Sequence, residues 1–144
     1  MKYVATVVFF GAILISLNSC KKGNTANNIN SVKGSWELVS ASGSIPVITY
    51  PAGNGNIFEF TDSTYKKYIN GSLAKRGYYK IVQDGSVIAE VGLVIPAGQY
   101  TNRIIFDNDT ASNKMFIEIA NNKLIFISGY FPLDGGSSMT YVKK

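Results

Sequence analysis

The chain has 144 residues, 46% of them hydrophobic, and its 14 lysines and arginines exceed its 9 acidic residues to give a net charge of +5. It contains no histidine and a single cysteine. This composition excludes Ser-His-Asp and Cys-His catalytic sets, zinc sites built on imidazole or several thiolates, and an internal disulfide. The positive charges are scattered, which is typical of a solvated surface rather than of a nucleic-acid track. We therefore expect no nucleic-acid partner and no cofactor.

The amino-terminal segment predicts export. A positively charged start precedes an uncharged, mostly apolar run over 4–17, which is shorter than the roughly 20 residues that a membrane-spanning helix needs. Leu17 and Ser19 stand three and one residues before Cys20, a spacing that resembles the lipobox of bacterial lipoproteins. The resemblance implies a cleaved signal peptide over 1–19 and a lipid on Cys20. The alternative is a plain secretory signal with an incidental cysteine.

These features predict a lipid-anchored protein in the envelope of a Gram-negative bacterium, on either side of the outer membrane. Residues 20–31 are polar and offer little burial, so we expect them to form a flexible tether that reaches roughly 18 Å. The remainder, 32–144, has the size of one domain. Such a chain can bury about two-thirds of its unfolded surface without a disulfide.

The domain has an all-β pattern. Short segments rich in Val, Ile, Tyr and Phe are separated by Gly, Asn, Asp and Ser, without helical periodicity. The predicted strands are 35–40, 56–61, 64–69, 77–82, 86–94, 103–106, 114–120, 123–128 and 139–143. Turns are predicted at Asn70-Gly71, Asp84-Gly85 and Asn121-Asn122. Because closure removes exposed strand edges, we expect an antiparallel up-and-down β-barrel of eight to nine strands.

Several segments carry a family resemblance. They are GSW at 34–36, FEF at 58–60, Tyr65, GYYKI at 77–81, NKL at 122–124 and DGG at 134–136. Their order is similar to the G-x-W opening and the later F-x-F…Y…G-x-Y-x-I course of lipocalins and short bacterial lipocalin-like domains. The resemblance implies a lipocalin-like barrel over 32–144 but no particular ligand. Arg103 is the nearest candidate for the arginine that packs on the tryptophan in true lipocalins.

Side-chain alternation along the strands predicts a mostly aromatic barrel interior. The candidate core or ligand-cavity residues are Trp36, Phe58, Phe60, Tyr65, Tyr79, Ile81, Phe106 and Phe126. A barrel of this size is either nearly filled by side chains or holds one small ligand, and both outcomes stay open. The hydroxyl groups of Tyr65 and Tyr79 would suit an amphipathic ligand.

A long connection over 42–56 contains the apolar residues Ile45, Val47, Ile48 and Tyr50. By the lipocalin resemblance it would fold over the open end of the barrel as a lid. The apolar residues could instead plug the barrel as part of its core, and this second interpretation is favoured.

Two patterns of acidic residues suggest other functions, a calcium site and a glycosidase active site. Asp107, Asp109 and Glu118 echo the ligand spacing of a calcium loop, but Ser112 replaces its obligatory glycine, which favours a solvated hairpin tip and no metal. A glycosidase-like carboxylate pair is the second alternative. The available glutamates are Glu37, Glu59, Glu90 and Glu118. Alternation directs each of them outward, so we expect no enzymatic activity.

The leading functional interpretation is an envelope lipoprotein whose barrel binds a small apolar or amphipathic ligand and whose anchor contacts the membrane. The alternative is a protein-interaction module with a solid barrel, such as a subunit of an envelope complex or an inhibitor of a hydrolase. A large lumen would favour the first. A filled barrel with an exposed apolar patch would favour the second.

Overall fold

The computed structural model describes residues 31–43 and 46–144. The predicted signal peptide, Cys20, most of the tether and Ile45 lie outside these residues. The strands are β1 (Gly34–Ser42), β2 (Ile48–Thr49), β3 (Ile57–Phe60), β4 (Thr64–Ile69), β5 (Ser72–Gln83), β6 (Asn102–Phe106), β7 (Met115–Ala120), β8 (Lys123–Ser128) and β9 (Ser137–Lys143). A short helix, α1 (Val87–Val91), and a 3-10 helix (Phe131–Leu133) complete the fold.

Eight strands form a closed antiparallel barrel, to which β2 adds one extra strand. Each barrel strand pairs with its neighbours in chain order, and β1 closes the sheet by pairing with β9, where Leu38 lies opposite Tyr141. The other edge of β1 pairs first with β3 and then with β2. The predicted all-β up-and-down barrel is therefore confirmed.

Two of the three predicted turns are confirmed. Asn70-Gly71 and Asn121-Asn122 all have positive φ angles and join β4 to β5 and β7 to β8. That is the backbone conformation that two-residue hairpin turns require. The third prediction is wrong, because Asp84-Gly85 opens a long connection that reaches β6 only at Asn102.

This connection contains α1 where the sequence predicted a strand over 86–94. Val87 and Val91, four residues apart, lie on one side of the helix and are buried against Phe116 and Ile127. These two side chains belong to β7 and β8, alternate with the interior residues, and leave an apolar outer surface that needs a cover. Gly92 ends the helix with a left-handed φ of 69°. The strand prediction fails because the periodicity of this short segment fits either structure.

The main core fills the inside of the barrel and the second core lies outside it, beneath α1. In the part of the chain that the structure describes, no helix is long and apolar enough to cross a membrane.

Candidate functional site

All eight predicted interior residues lie in or against the main core. Trp36, Phe58, Phe60, Tyr65 and Phe126 are buried, while Tyr79, Ile81 and Phe106 are half-buried and pack against them. Phe58 stands at the centre, because its ring centroid lies 5.3 Å from that of Phe60, 5.8 Å from that of Phe106 and 5.7 Å from that of Phe126. This packing makes much of the barrel interior solid.

The indole N–H of Trp36 donates a hydrogen bond of 2.6 Å to the carbonyl of Val32, which satisfies the one polar group of that ring. Lys143 Nζ lies 5.5 Å from the centre of the Trp36 ring. Arg103 was the sequence candidate for packing on the tryptophan, but its Nε lies 3.2 Å from Oδ2 of Asp84 instead. The expected arginine contact is therefore made by the carboxy-terminal strand and by a different cation.

Space remains at the end of the barrel that carries the β4–β5 and β6–β7 connections. A cavity of about 160 Å³ lies there, and we call it the mouth cavity. Its lining consists of Phe58, Tyr65, Lys67, Lys75, Phe106, Met115, Phe126 and Met139. A second cavity of about 170 Å³ adjoins it and shares Phe58, Lys67 and Met139. Four of the eight predicted interior residues thus line this cavity, together with two methionines, and two lysines supply positive charge.

Asp107 binds two residues that line the mouth cavity, Tyr65 and Lys75. Its carboxylate accepts hydrogen bonds from the Tyr65 hydroxyl at 2.9 Å and the Tyr78 amide at 3.0 Å, and pairs with Lys75 Nζ at 3.0 Å. The hydrogen bond from Lys75, followed by that from Tyr65, holds the pKa of Asp107 below its usual range. Burial raises the pKa of Tyr65, so this hydroxyl stays protonated and donates at neutral pH.

The absence of a side chain at Gly77 makes this arrangement possible. A Cβ atom at this position would collide with Oδ1 of Asp107. The glycine of the GYYKI segment therefore lets the carboxylate approach the backbone of β5.

Lys67 differs from Lys75 because it forms no ion pair with any described residue. It is half-buried on β4, opposite Phe58 in β3 and Lys75 in β5. Its Nζ lies 5.5 Å from the centre of the Phe58 ring, a cation–π contact that leaves its charge uncompensated. The neighbouring Lys66 is exposed and lies 4.0 Å from Glu59.

A second group of charges lies beside α1. Asp84 contacts Arg103 at 3.2 Å and Lys114 at 3.3 Å, and Lys114 also contacts Glu90 at 2.9 Å. The hydrogen bond from the Ser86 hydroxyl is the largest cause that lowers the pKa of Asp84. A polar cleft of about 490 Å³ borders Glu90 and Lys114. Because these two acids and two bases compensate one another, the cluster is better suited to holding α1 than to binding a charged ligand.

The glutamates do not assemble into a carboxylate pair. Glu37 alternates with the core residues Trp36 and Leu38 but is nevertheless buried, since amide groups of the 50–56 segment bind its carboxylate. It accepts hydrogen bonds from the Gly53 amide at 3.1 Å and the Gly55 amide at 3.4 Å, and the Gly53 bond is the main cause that lowers its pKa. Glu118 accepts a hydrogen bond from the Tyr100 amide at 2.8 Å.

The predicted hairpin tip between β6 and β7 is held by Asp109, whose carboxylate accepts hydrogen bonds from the amides of Ala111 and Ser112. Asp107 and Glu118 bind different partners, as described above. Within residues 31–43 and 46–144, no group of three or more potential metal ligands comes together. The alternative calcium loop is therefore not formed there.

The connection predicted as a lid or plug divides into two parts. Val47 and Ile48 are 64% and 44% exposed, so the plug interpretation is wrong for them. Tyr50 packs against the main core, and its amide donates a hydrogen bond to the Val39 carbonyl at 2.9 Å. Asn54 donates through its side chain to the Leu38 carbonyl at 2.9 Å. The 50–56 segment is thus fastened to β1, and the lid role of the residues before it stays a prediction.

Comparison of the chain with protein-family models, curated proteins and solved structures finds no significant match. The assignment of function therefore depends on the geometry of the site. The sequence predicted the aromatic walls of the site, but it did not predict Lys67 or Lys75 as site residues, and it suggested Asp107 only as a calcium ligand. A signal for Lys67 existed, because it follows Tyr65 by two residues and alternation places both on the same face of β4.

Proposed function

We propose that the protein is an envelope lipoprotein, anchored through Cys20, whose barrel binds a small amphipathic ligand in the mouth cavity. The observation that carries this proposal is the composition of the cavity wall. Phe106, Met115 and Phe126 are apolar, whereas Lys67 and the hydroxyl of Tyr65 provide polar groups. Ligand sites in proteins typically combine an apolar concave surface with a few fixed polar groups.

The size of the mouth cavity limits the ligand. Its volume of about 160 Å³ is close to that of apolar protein cavities that hold one benzene molecule, about 150 Å³. Binding sites for larger, drug-sized molecules usually start at about 300 Å³. The ligand is therefore a small molecule, or one small apolar end of a longer amphipath whose remainder extends into the adjoining cavity.

The methionines allow a direct test. The chain has 3 methionines, and only Met115 and Met139 lie in the domain, both in the wall of the mouth cavity. Methyl-¹³C-methionine labelling of the full chain in phosphatidylcholine nanodiscs gives one NMR signal from each. We expect indole, 1-hexanol or hexanoate to shift both signals in a saturable way. Absence of a shift with every probe would contradict the proposal.

A protein-interaction role is the second candidate, because several large apolar side chains are exposed in α1, in the segment after it and around the 3-10 helix. Ile88, Val94, Tyr130 and Leu133 are all large hydrophobic residues with exposed fractions of 44% or more. A photo-crosslinking residue at position 133 would trap a partner in intact cells if this surface is used. The same residue at position 123, in the turn-flanking part of β8, is the control.

A further inference from the structure

We infer that the ligand of the mouth cavity is a monoanion, a small carboxylate whose charge pairs with Lys67 and whose apolar group packs against Phe58 and Phe106. This inference rests on the proposed function and specifies its ligand class.

Of the two lysines in the wall of the mouth cavity, one forms an ion pair with a described residue and the other does not. They are Lys67 and Lys75, and the only described carboxylate bound to either is that of Asp107. Asp107 already binds Lys75, Tyr65 and Tyr78. Among the residues that the structure describes, the charge of Lys67 is therefore met only by the face of an aromatic ring. A ligand with one negative charge would complete the set, and a cationic ligand would meet repulsion.

Because Lys67 is partly buried, its positive charge should attract an anionic ligand more strongly than the charge of a surface lysine would. Ion pairs between fully exposed groups contribute little, because water and salt screen them. Lys67 is half-buried and lies over the Phe58 ring, so less water screens it. A carboxylate placed there replaces lost hydration with a charge-assisted hydrogen bond.

The position of Lys67 fixes the orientation of the ligand. Lys67 borders both the mouth cavity and the adjoining cavity, so it stands at their junction. The Phe58 and Phe106 rings stack with an interplanar angle of 11°, and both residues line the mouth cavity. The carboxylate therefore lies at the junction and the apolar group lies in the mouth cavity. A benzene-sized aryl group or a short acyl chain fits the available volume.

The test compares three ligands of nearly equal shape and different charge, which are 3-phenylpropanoate, 3-phenylpropan-1-ol and 3-phenylpropylamine. Each is titrated into the full chain in phosphatidylcholine nanodiscs, and the methyl signals of Met115 and Met139 report binding. Empty nanodiscs give the partition blank. We expect the carboxylate to bind at least tenfold more tightly than the alcohol, which corresponds to about 1.4 kcal/mol, and the amine to bind most weakly.

Variants of β4 assign the effect to one side chain. We expect Lys67→Gln to remove the preference for the carboxylate and Lys67→Arg to retain it. Lys66→Gln is the matched control, because Lys66 is the adjacent residue, carries the same charge and is exposed. The methyl spectra without ligand verify that each variant keeps the native site. Hexanoate in place of 3-phenylpropanoate distinguishes an acyl from an aryl preference.

Each outcome has a defined meaning. Equal binding of the three ligands, or a preference that survives in Lys67→Gln, would overturn the inference and leave the proposed function standing. An equal loss in Lys66→Gln would show a general effect of net charge and would also overturn it. Absence of binding by all three ligands would remove the proposed function and the inference together.

Discussion

Phe58→Ala is the sharpest perturbation of the barrel interior. Phe58 is 6% exposed, and its ring lies within 6 Å of Phe60, Phe106, Phe126 and Tyr141, centroid to centroid. It also lines both the mouth cavity and the adjoining cavity. Removing the ring therefore deletes the centre of the aromatic cluster and merges two existing spaces into one.

The expected cost follows from the burial of this ring. Replacing a buried phenylalanine by alanine typically costs about 3–5 kcal/mol, because contacts are lost and a cavity remains. Contacts between aromatic rings supply part of this cost, about 0.5–1.5 kcal/mol per pair beyond the buried area. For a domain of this size each kcal/mol lowers the melting temperature by about 4 °C, which predicts a decrease of about 12–20 °C.

Urea unfolding, monitored by the fluorescence of the single tryptophan, measures this cost. Phe58→Leu is the control, because it keeps an apolar side chain and should lose much less. We also expect Phe58→Ala to bind probes larger than those the native protein accepts, since its cavity is larger. A loss below about 1 kcal/mol, or unchanged probe selectivity in a folded variant, would refute the reasoning about Phe58.

Three further predictions concern other parts of the molecule. Gly77→Ala should lower the free energy of unfolding in urea by about 1–3 kcal/mol, because the new Cβ displaces the Asp107 carboxylate from its hydrogen-bond donors. Gly85→Ala is the control and should be near neutral, since there is open space around its new Cβ. Equal losses in the two variants would contradict this prediction. Because the pKa of Glu37 is lowered in the folded state from its ordinary 4.5, the stability it contributes is present above that pH and is lost as the pH falls through the folded pKa. Unfolding measured between pH 7 and pH 3 should therefore show a smaller acid loss in Glu37→Gln than in the native protein, and an unchanged loss would exclude this role. Cys20→Ala should move the protein out of the membrane fraction or block its processing, as measured by fractionation and fatty-acid labelling, and a native protein without labelled lipid would contradict the anchor.

The barrel could be predicted because its signals are local. Runs of β-branched and aromatic residues mark the strands, and Asn70-Gly71 and Asn121-Asn122 supply turns whose backbone requirements few other residues meet. Alternation then places Trp36, Phe58 and Phe60 inside. The first half of β5 was missed, because residues 72–76 are mostly small or polar and are held in the sheet by pairing with β4.

The polar part of the site could not be predicted in the same way. Asp107 contacts Tyr65 and Tyr78, which are 42 and 29 residues away in sequence, and only the closed sheet brings them together. The burial of Glu37 likewise depends on amide groups 16 and 18 residues later. Such contacts leave no mark on sequence periodicity, because any exposed acid would give the same local pattern.

The pairing of β1 with β9 also constrains how the protein folds. Trp36 lies opposite Lys143, so the strands that close the barrel come from opposite ends of the domain. Bringing such distant segments together carries a large loop-closure entropy, and folds dominated by non-local pairing form slowly. The sheet cannot close until the last strand is available. An emerging chain therefore keeps β1 unpaired on that edge until β9 has been synthesised, so the barrel closes only after nearly all of the domain has left the ribosome.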